Sequence, residues 1–222
     1  MRYIEKRPEP EAFKLWKEQN KDATYGNGLP QDVNLALRNA LLLEQGFVCC
    51  FCGCAIGPCN DKGEVFQIPL ESIRPHNIRN AHITPQSRDE GKTLDYANLC
   101  ASCNTSKHTR DEKHCDEAQG SRELPVSPLQ EDCISYFFFG SDGEILPNPK
   151  LTEEEQEMAS ATISILRLNT SSLIAARKKV LRTLKSLPPA QANLALDQLC
   201  KRNAQGAFAP YYFVPLRYFQ RI

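Results

Sequence analysis

Two stretches decide how this chain is read: CCFCGC at residues 49–54 and LDYANLCASCNTSKH at residues 94–108. Cys49-x-x-Cys52 and Cys100-x-x-Cys103 each bring two thiols to one tetrahedral ion from a single turn, and two such pairs complete an all-thiolate, four-coordinate site. The spacing therefore predicts a structural Zn²⁺ on Cys49, Cys52, Cys100 and Cys103. Cys50 and Cys54 are rival ligands; Cys49 with Cys52 is preferred as the only pair in that cluster separated by two residues. The 47 residues between Cys52 and Cys100 exceed an ordinary zinc ribbon, so further structure is inserted in the loop that the metal closes. A second metal on Cys59, His114 and Cys115 is conceivable, but the spacing is irregular.

The rest of the composition narrows the class. A chain of 222 residues and 25.0 kDa suits one large domain or two small ones. With 41% hydrophobic residues, 24% charged and a mean hydropathy of −0.46, it sits near the globular average and has no apolar run long enough to cross a bilayer. The opening MRYIEKRPEPEAF lacks the apolar core of a secretory signal, so a cytoplasmic location is expected. Ten cysteines in such a chain point to thiolate metal binding before disulfides. Cys133 and Cys200, alone in apolar surroundings, read as small buried hydrophobes.

Charge is balanced overall, 27 basic against 27 acidic side chains, which argues against a free-standing polyanion binder. The balance hides a dipole. Residues 161–222 hold ten basic side chains and Asp197 as the lone acid. Arg177, Lys178, Lys179, Arg182 and Lys185 form the densest basic run, a candidate surface for nucleic acid or a partner, against the plainer reading of a solvated helix face.

Hydrophobic spacing predicts helices from Pro10 to about Asn20 and from Gln31 to Gln45, the second stopped by Gly46. Residues 133–146 read as a hairpin around SDG. A helix over Leu151–Leu168 opens with the capping box Thr152-x-x-Glu155. Asn169 or Thr170 caps the next, which Pro188 and Pro189 end, and a third spans about Ala190–Asn203. The aromatic tail AFAPYYFVPLRYFQRI is too apolar to hang free and is expected to pack on the body or a partner. The expected organisation is a helical docking segment at 1–46, a metal-stapled module at 47–120, a connector at 121–150 and a basic helical region at 151–222.

The order His82, Asn98, Asn104, framed by two CxxC pairs, resembles the HNH nuclease family. The opening MRYIEKRPEP, the CCFC knuckle, AHITPQS with LDYANLCASCN, SDGEILPNP and ISILRLNTSSLIAAR are together similar to the PtuB-type HNH nucleases of Septu and retron antiphage systems. The resemblance implies an α+β fold: a zinc-stapled ββα-metal module flanked by N-terminal helices and a C-terminal helical region. It implies His82 as general base, Asn98 as the residue orienting the His82 loop, and Asn104 as ligand of a catalytic Mg²⁺ or Mn²⁺. It also implies a defence effector held by an ABC-type ATPase and, in retron versions, by a reverse transcriptase with its RNA-linked DNA.

These residue types suit phosphodiester hydrolysis. A neutral imidazole takes a proton from water, and an amide oxygen is a hard ligand for Mg²⁺ or Mn²⁺. If Cys103 starts a helix, Asn104, Lys107 and His108 share a face, making His108 a second ligand and Lys107 a phosphate clamp. Many family members carry an acid directly before the catalytic histidine; here Ala81 stands there. That departure keeps two other readings in play: a zinc-stapled adaptor that has lost catalysis, and a stand-alone restriction nuclease. DNA is the expected substrate class, with RNA, including tRNA, as the alternative.

Overall fold

The computed structural model describes residues 1–25, 28–57 and 78–222. Cys59 and His76 lie outside the described residues. Helix α1 (Glu11–Gln19) begins directly after Pro10 and buries Phe13 and Trp16, one turn apart. Helix α2 (Gln31–Gln45) follows Pro30 and buries Val33, Leu37 and Leu41 at four-residue intervals against α1. It stops at Gly46, whose φ of 67° is the left-handed geometry that a glycine accepts without strain.

The knuckle at 47–55 follows at once and is stitched to the next sheet by a buried amide. Gln45 Nε2 donates to the carbonyls of Val48 (2.9 Å) and Ala101 (2.8 Å), while its Oε1 accepts from Ala101 N at 2.6 Å. Strands β1 (Ile78–His82) and β2 (Leu99–Cys103) pair antiparallel, with His82 opposite Leu99 and Ile78 opposite Cys103. Two 3₁₀ turns, Glu90–Lys92 and Tyr96–Asn98, occupy their connection.

The helix expected from Cys103 is absent. Strand β2 runs through Cys103, and residues 104–109 form turns in which His108 N donates to the Thr105 carbonyl at 3.0 Å. Asn104 redirects the chain locally, its Oδ1 accepting from Ser106 N at 3.0 Å, a side-chain bond that competes with helix formation. The helix after β2 is the short α3 (Asp116–Gln119), which packs on β1.

A hairpin of β3 (Phe137–Phe139) and β4 (Ile145–Pro147) follows, with a 3₁₀ turn over Cys133–Tyr136 where a strand was expected. Helix α4 (Glu153–Leu166) carries the predicted capping box, Thr152 and Glu155 satisfying each other's backbone amides. Helix α5 (Ser171–Lys185) follows Thr170, whose side chain does not cap it; Glu112 reaches across to Ser171 and Ser172 instead. Pro188 and Pro189 begin α6 (Pro189–Leu199). Cys200, just past its end, is exposed, contrary to expectation, because α6 buries only Leu196. Cys133 is buried.

The tail does pack on the body. Helix α7 (Phe213–Tyr218) buries Phe213, Val214, Pro215 and Leu216. Tyr211 N donates to the Gly53 carbonyl at 2.7 Å, and the Phe213 ring fills the space where a Cβ on Gly53 would stand, 2.4 Å away. Arg2 lies 5.3 Å from the centre of the Tyr212 ring, so the N-terminal segment packs on the tail that covers the knuckle. Among the described residues the fold is mixed α+β, seven helices with two two-stranded sheets, and no helix is long and apolar enough to cross a membrane.

Candidate functional site

Cys49, Cys52, Cys103 and Cys115 bring their sulfurs within 4.8 Å of one another, all four buried. Cys49 Sγ lies 3.8 Å from Cys115 Sγ, and Cys52 Sγ 3.9 Å from Cys103 Sγ. Four sulfurs about 2.3 Å from one ion stand about 3.8 Å apart at the corners of a tetrahedron, so the cluster could hold a metal such as zinc. Crowding separates the thiols' proton affinities. Burial opposes ionisation of Cys49, but hydrogen bonds from Cys103 and Cys115 pull it well below the ordinary thiol range. Cys103 is also what pulls Cys52 down.

Cys100 does not belong to this cluster, and Cys115 takes its place. Both Cys100 and Cys103 lie on β2, where successive side chains point to opposite faces, so a separation of three sends the two thiols apart. The CxxC rule presupposes a turn, and here the pair sits in a strand. Cys100 instead meets the thiol of Cys50, whose pKa burial and that contact push well up. Cys54 is close enough for hydrogen bonds with Cys103, Cys49 and Cys52, but remains half-exposed at the edge. Sequence reasoning places Cys115 only in an irregular second site with Cys59 and His114; the signal that could have found it is a cysteine directly before α3, separated from Cys103 by eleven residues. His114, beside it, is buried; burial disfavours its charge, but the hydrogen bond and negative charge of Cys52, with the Glu112 carbonyl and Cys49, together outweigh this and raise its pKa. Its Nδ1 lies 2.8 Å from the Glu112 carbonyl.

His82 ends β1. Its Nε2 sits 2.9 Å from the Thr93 carbonyl, which can only accept, so that nitrogen carries the proton. Nδ1 is left with its lone pair and accepts from Gln86 Nε2 at 3.1 Å. Burial lowers the imidazole's pKa against the opposing pull of Thr93, favouring the neutral ring. Asn98 is buried in the turn before β2. Its Oδ1 accepts from Thr84 N (2.7 Å), and its Nδ2 donates to the carbonyls of Thr84 (3.0 Å) and Lys92 (3.1 Å). One amide thereby ties the segment leaving His82 to the segment that presents Thr93.

No protein-family model matches this chain, and no curated protein matches it.

Asn104, Lys107 and His108 do not converge with His82. The register puts His82 and Asn104 at opposite ends of the β1–β2 ribbon, five positions or about 16 Å apart along the strand. Lys107 and His108 are exposed, and gather with Thr109, Glu112, Ser171 and Ser172 around a surface depression. The ring of His108 lies 5.8 Å from that of His114. The neighbours of His82 are others. Tyr25 meets its ring edge-on at 4.5 Å and receives a hydrogen bond from Asn80 Nδ2 at 2.6 Å. Tyr25 also feels the charges of Arg38, Asp116 and Arg79. Asp116, the first residue of α3, pairs with Arg79 Nε at 2.9 Å.

The basic run divides as well. Lys178, Lys179, Arg182 and Lys185 are exposed on α5, with Lys185 Nζ 4.4 Å from the centre of the Tyr218 ring. Arg177 is 2% exposed and is no surface residue. Its Nε donates to the Gly143 carbonyl at 2.6 Å and its Nη2 to Asn169 Oδ1 at 3.0 Å, clamping the β3–β4 turn to α5. Helical period explains this: Arg177 shares the inward face with Leu173, Leu181 and Leu184.

Proposed function

We propose that this protein is a metal-dependent endonuclease of HNH type that hydrolyses phosphodiester bonds of nucleic acid. The observation that carries the reading is the state of His82: a neutral imidazole, held by Thr93 in the tautomer whose Nδ1 keeps its lone pair, which accepts from Gln86 and would take the proton of water once Gln86 turns aside. On this reading His82 Nδ1 removes the proton of the attacking water. Asn98 keeps the Thr93 carbonyl and the segment after His82 in register, and the four-cysteine cluster, with Zn²⁺, would brace the module alongside its buried core of Phe51, Ile56, Ile78 and Leu99. Bound Mg²⁺ or Mn²⁺ would neutralise the charge developing on the phosphate. Asn104 stands too far along the ribbon to share such an ion with His82. Asp116 is engaged by Arg79, whose side chain leaves β1 on the face opposite His82, and does not replace it.

The exposed cations of α5 offer a polyanion or an acidic partner a docking face. The PtuB-type resemblance makes that partner an ABC-type ATPase, with a retron reverse transcriptase and its RNA-linked DNA as further company in a cytoplasmic defence complex. The test is cleavage of DNA and tRNA with Mg²⁺ or Mn²⁺, with and without the ATPase. His82→Ala should abolish cleavage and leave bound zinc and fold intact; retained cleavage rejects His82 as the base. The displacement of Asn104 from His82, with Ala81 in the place of an acid, favours a second reading, a zinc-braced adaptor without catalysis. That reading requires no cleavage under any of these conditions, and loss of complex formation in Cys115→Ser.

A further inference from the structure

Arg38 lies on α2, on the side that faces β1. Its Nε donates to Asn80 Oδ1 at 3.3 Å, and among the described residues it has no carboxylate partner. Arg79, the residue before Asn80 on β1 and on the opposite face, contrasts with it: both Asp116 and Glu117 neutralise that guanidinium. A partly buried cation is ordinarily paired, because removing charge from water without a counter-charge is costly. Arg38 is held in that costly state by a built arrangement. Asn80 spends its Oδ1 on Arg38, and its Nδ2 on the Tyr25 hydroxyl (2.6 Å) and on Asn34 Oδ1 (3.0 Å), so the amide has one orientation and fixes all three neighbours. Asn80 and His82 are two residues apart on one strand and share a face, about 6.6 Å apart along it. Tyr25 touches both.

We infer that Arg38 is a phosphate-holding residue of the His82 site, its two free Nη groups gripping a non-bridging oxygen of a nucleic-acid phosphodiester beside the imidazole. The inference rests on the nuclease reading for its ligand. Nε is the nitrogen anchored to the protein, which leaves the fork of the guanidinium as the part presented to an anion. The sequence did not single out Arg38, since one arginine on an amphipathic helix is ordinary.

The experiment measures binding of labelled DNA and RNA oligonucleotides of one sequence to the full-length chain carrying His82→Ala, across a salt series, with zinc content and melting recorded for every variant. Adding Arg38→Ala should weaken binding about tenfold and reduce the slope of log affinity against log salt by about one. Arg38→Lys should restore the slope, because charge is kept, but only part of the affinity, because the fork is lost. Unchanged affinity and slope in Arg38→Ala with zinc and melting intact would overturn the inference, as would failure of the parent chain to bind either oligonucleotide. Intact binding without cleavage by the His82-containing chain would reject the nuclease reading alone.

Discussion

Cys49 and Cys115, 66 positions apart in the chain, place their sulfurs 3.8 Å from each other, which makes Cys115 and not Cys100 the fourth member of the thiol cluster. The two cysteines should behave differently on substitution. Cys115→Ser should release zinc and destabilise the fold by several kcal/mol, whereas Cys100→Ser should keep the metal and cost about 1–2 kcal/mol. Metal content and thermal melting of the two variants decide it. Equal zinc loss in both would restore Cys100 as a ligand.

Arg177 and its neighbours on α5 separate structure from surface. Arg177→Ala removes the buried guanidinium with its two hydrogen bonds and leaves the Gly143 carbonyl without that donor, so a loss of about 3 kcal/mol is expected in urea unfolding. Lys179→Ala should stay within about 0.5 kcal/mol, as at ordinary exposed sites. Nucleic-acid or partner binding should respond in the reverse sense, weakened by loss of Lys179 and Arg182 and not by a folded Arg177→Lys.

The lowered pKa of His82 gives two linked pH effects. On the proposed reading of His82 as base, the acid limb of kcat/KM in a cleavage assay should fall below 6.5, the ordinary imidazole value, because the ring stays neutral to lower pH. Stability follows the opposite logic. As pH falls through the unfolded value of 6.5, the unfolded chain binds a proton that folded His82 refuses, so folded stability declines until the lower folded pKa is reached. Above 6.5 both states are neutral there and this contribution vanishes. Urea midpoints measured across that range should drop with acid in the wild type more steeply than in His82→Gln.

Gly53 joins the knuckle to the tail, with a φ of +80° and the Phe213 ring where its Cβ would be. Gly53→Ala adds left-handed strain of about 1 kcal/mol and a steric clash of about 1–3 kcal/mol. The added Phe213→Leu change should recover part of that cost, and a double-mutant cycle in urea reads the coupling.

Asn98 supplies three side-chain hydrogen bonds to Thr84 and Lys92. Asn98→Leu, similar in volume, should cost about 3 kcal/mol and cut cleavage even where the chain remains folded, because the Thr93 carbonyl would no longer be held under His82. Rescue of cleavage without rescue of stability would separate Asn98 from the positioning of His82.

Local signals in the chain carried much of this architecture. Pro10, Pro30 and Gly46 mark helix ends that α1 and α2 obey, and Thr152 with Glu155 marks the start of α4, because caps and proline act within one turn of the residues that encode them. Cys49 with Cys52 was readable for the same reason, a pair lying within one turn. Other features were decided by partners far along the chain. Whether Cys100 or Cys115 completes the cluster depends on β2 being a strand, and that depends on pairing with β1. Arg177 reads as surface charge until the β3–β4 turn is laid across it. Arg38 becomes notable only when Asn80, Tyr25 and His82 are brought to its side. Sequence by itself determined where helices such as α1, α2 and α4 begin or end and which residue types carry the chemistry, since those follow from short-range sterics and hydrogen bonding. Tertiary structure alone decided which of those residues meet, since strand alternation and long-range packing set the direction of each side chain.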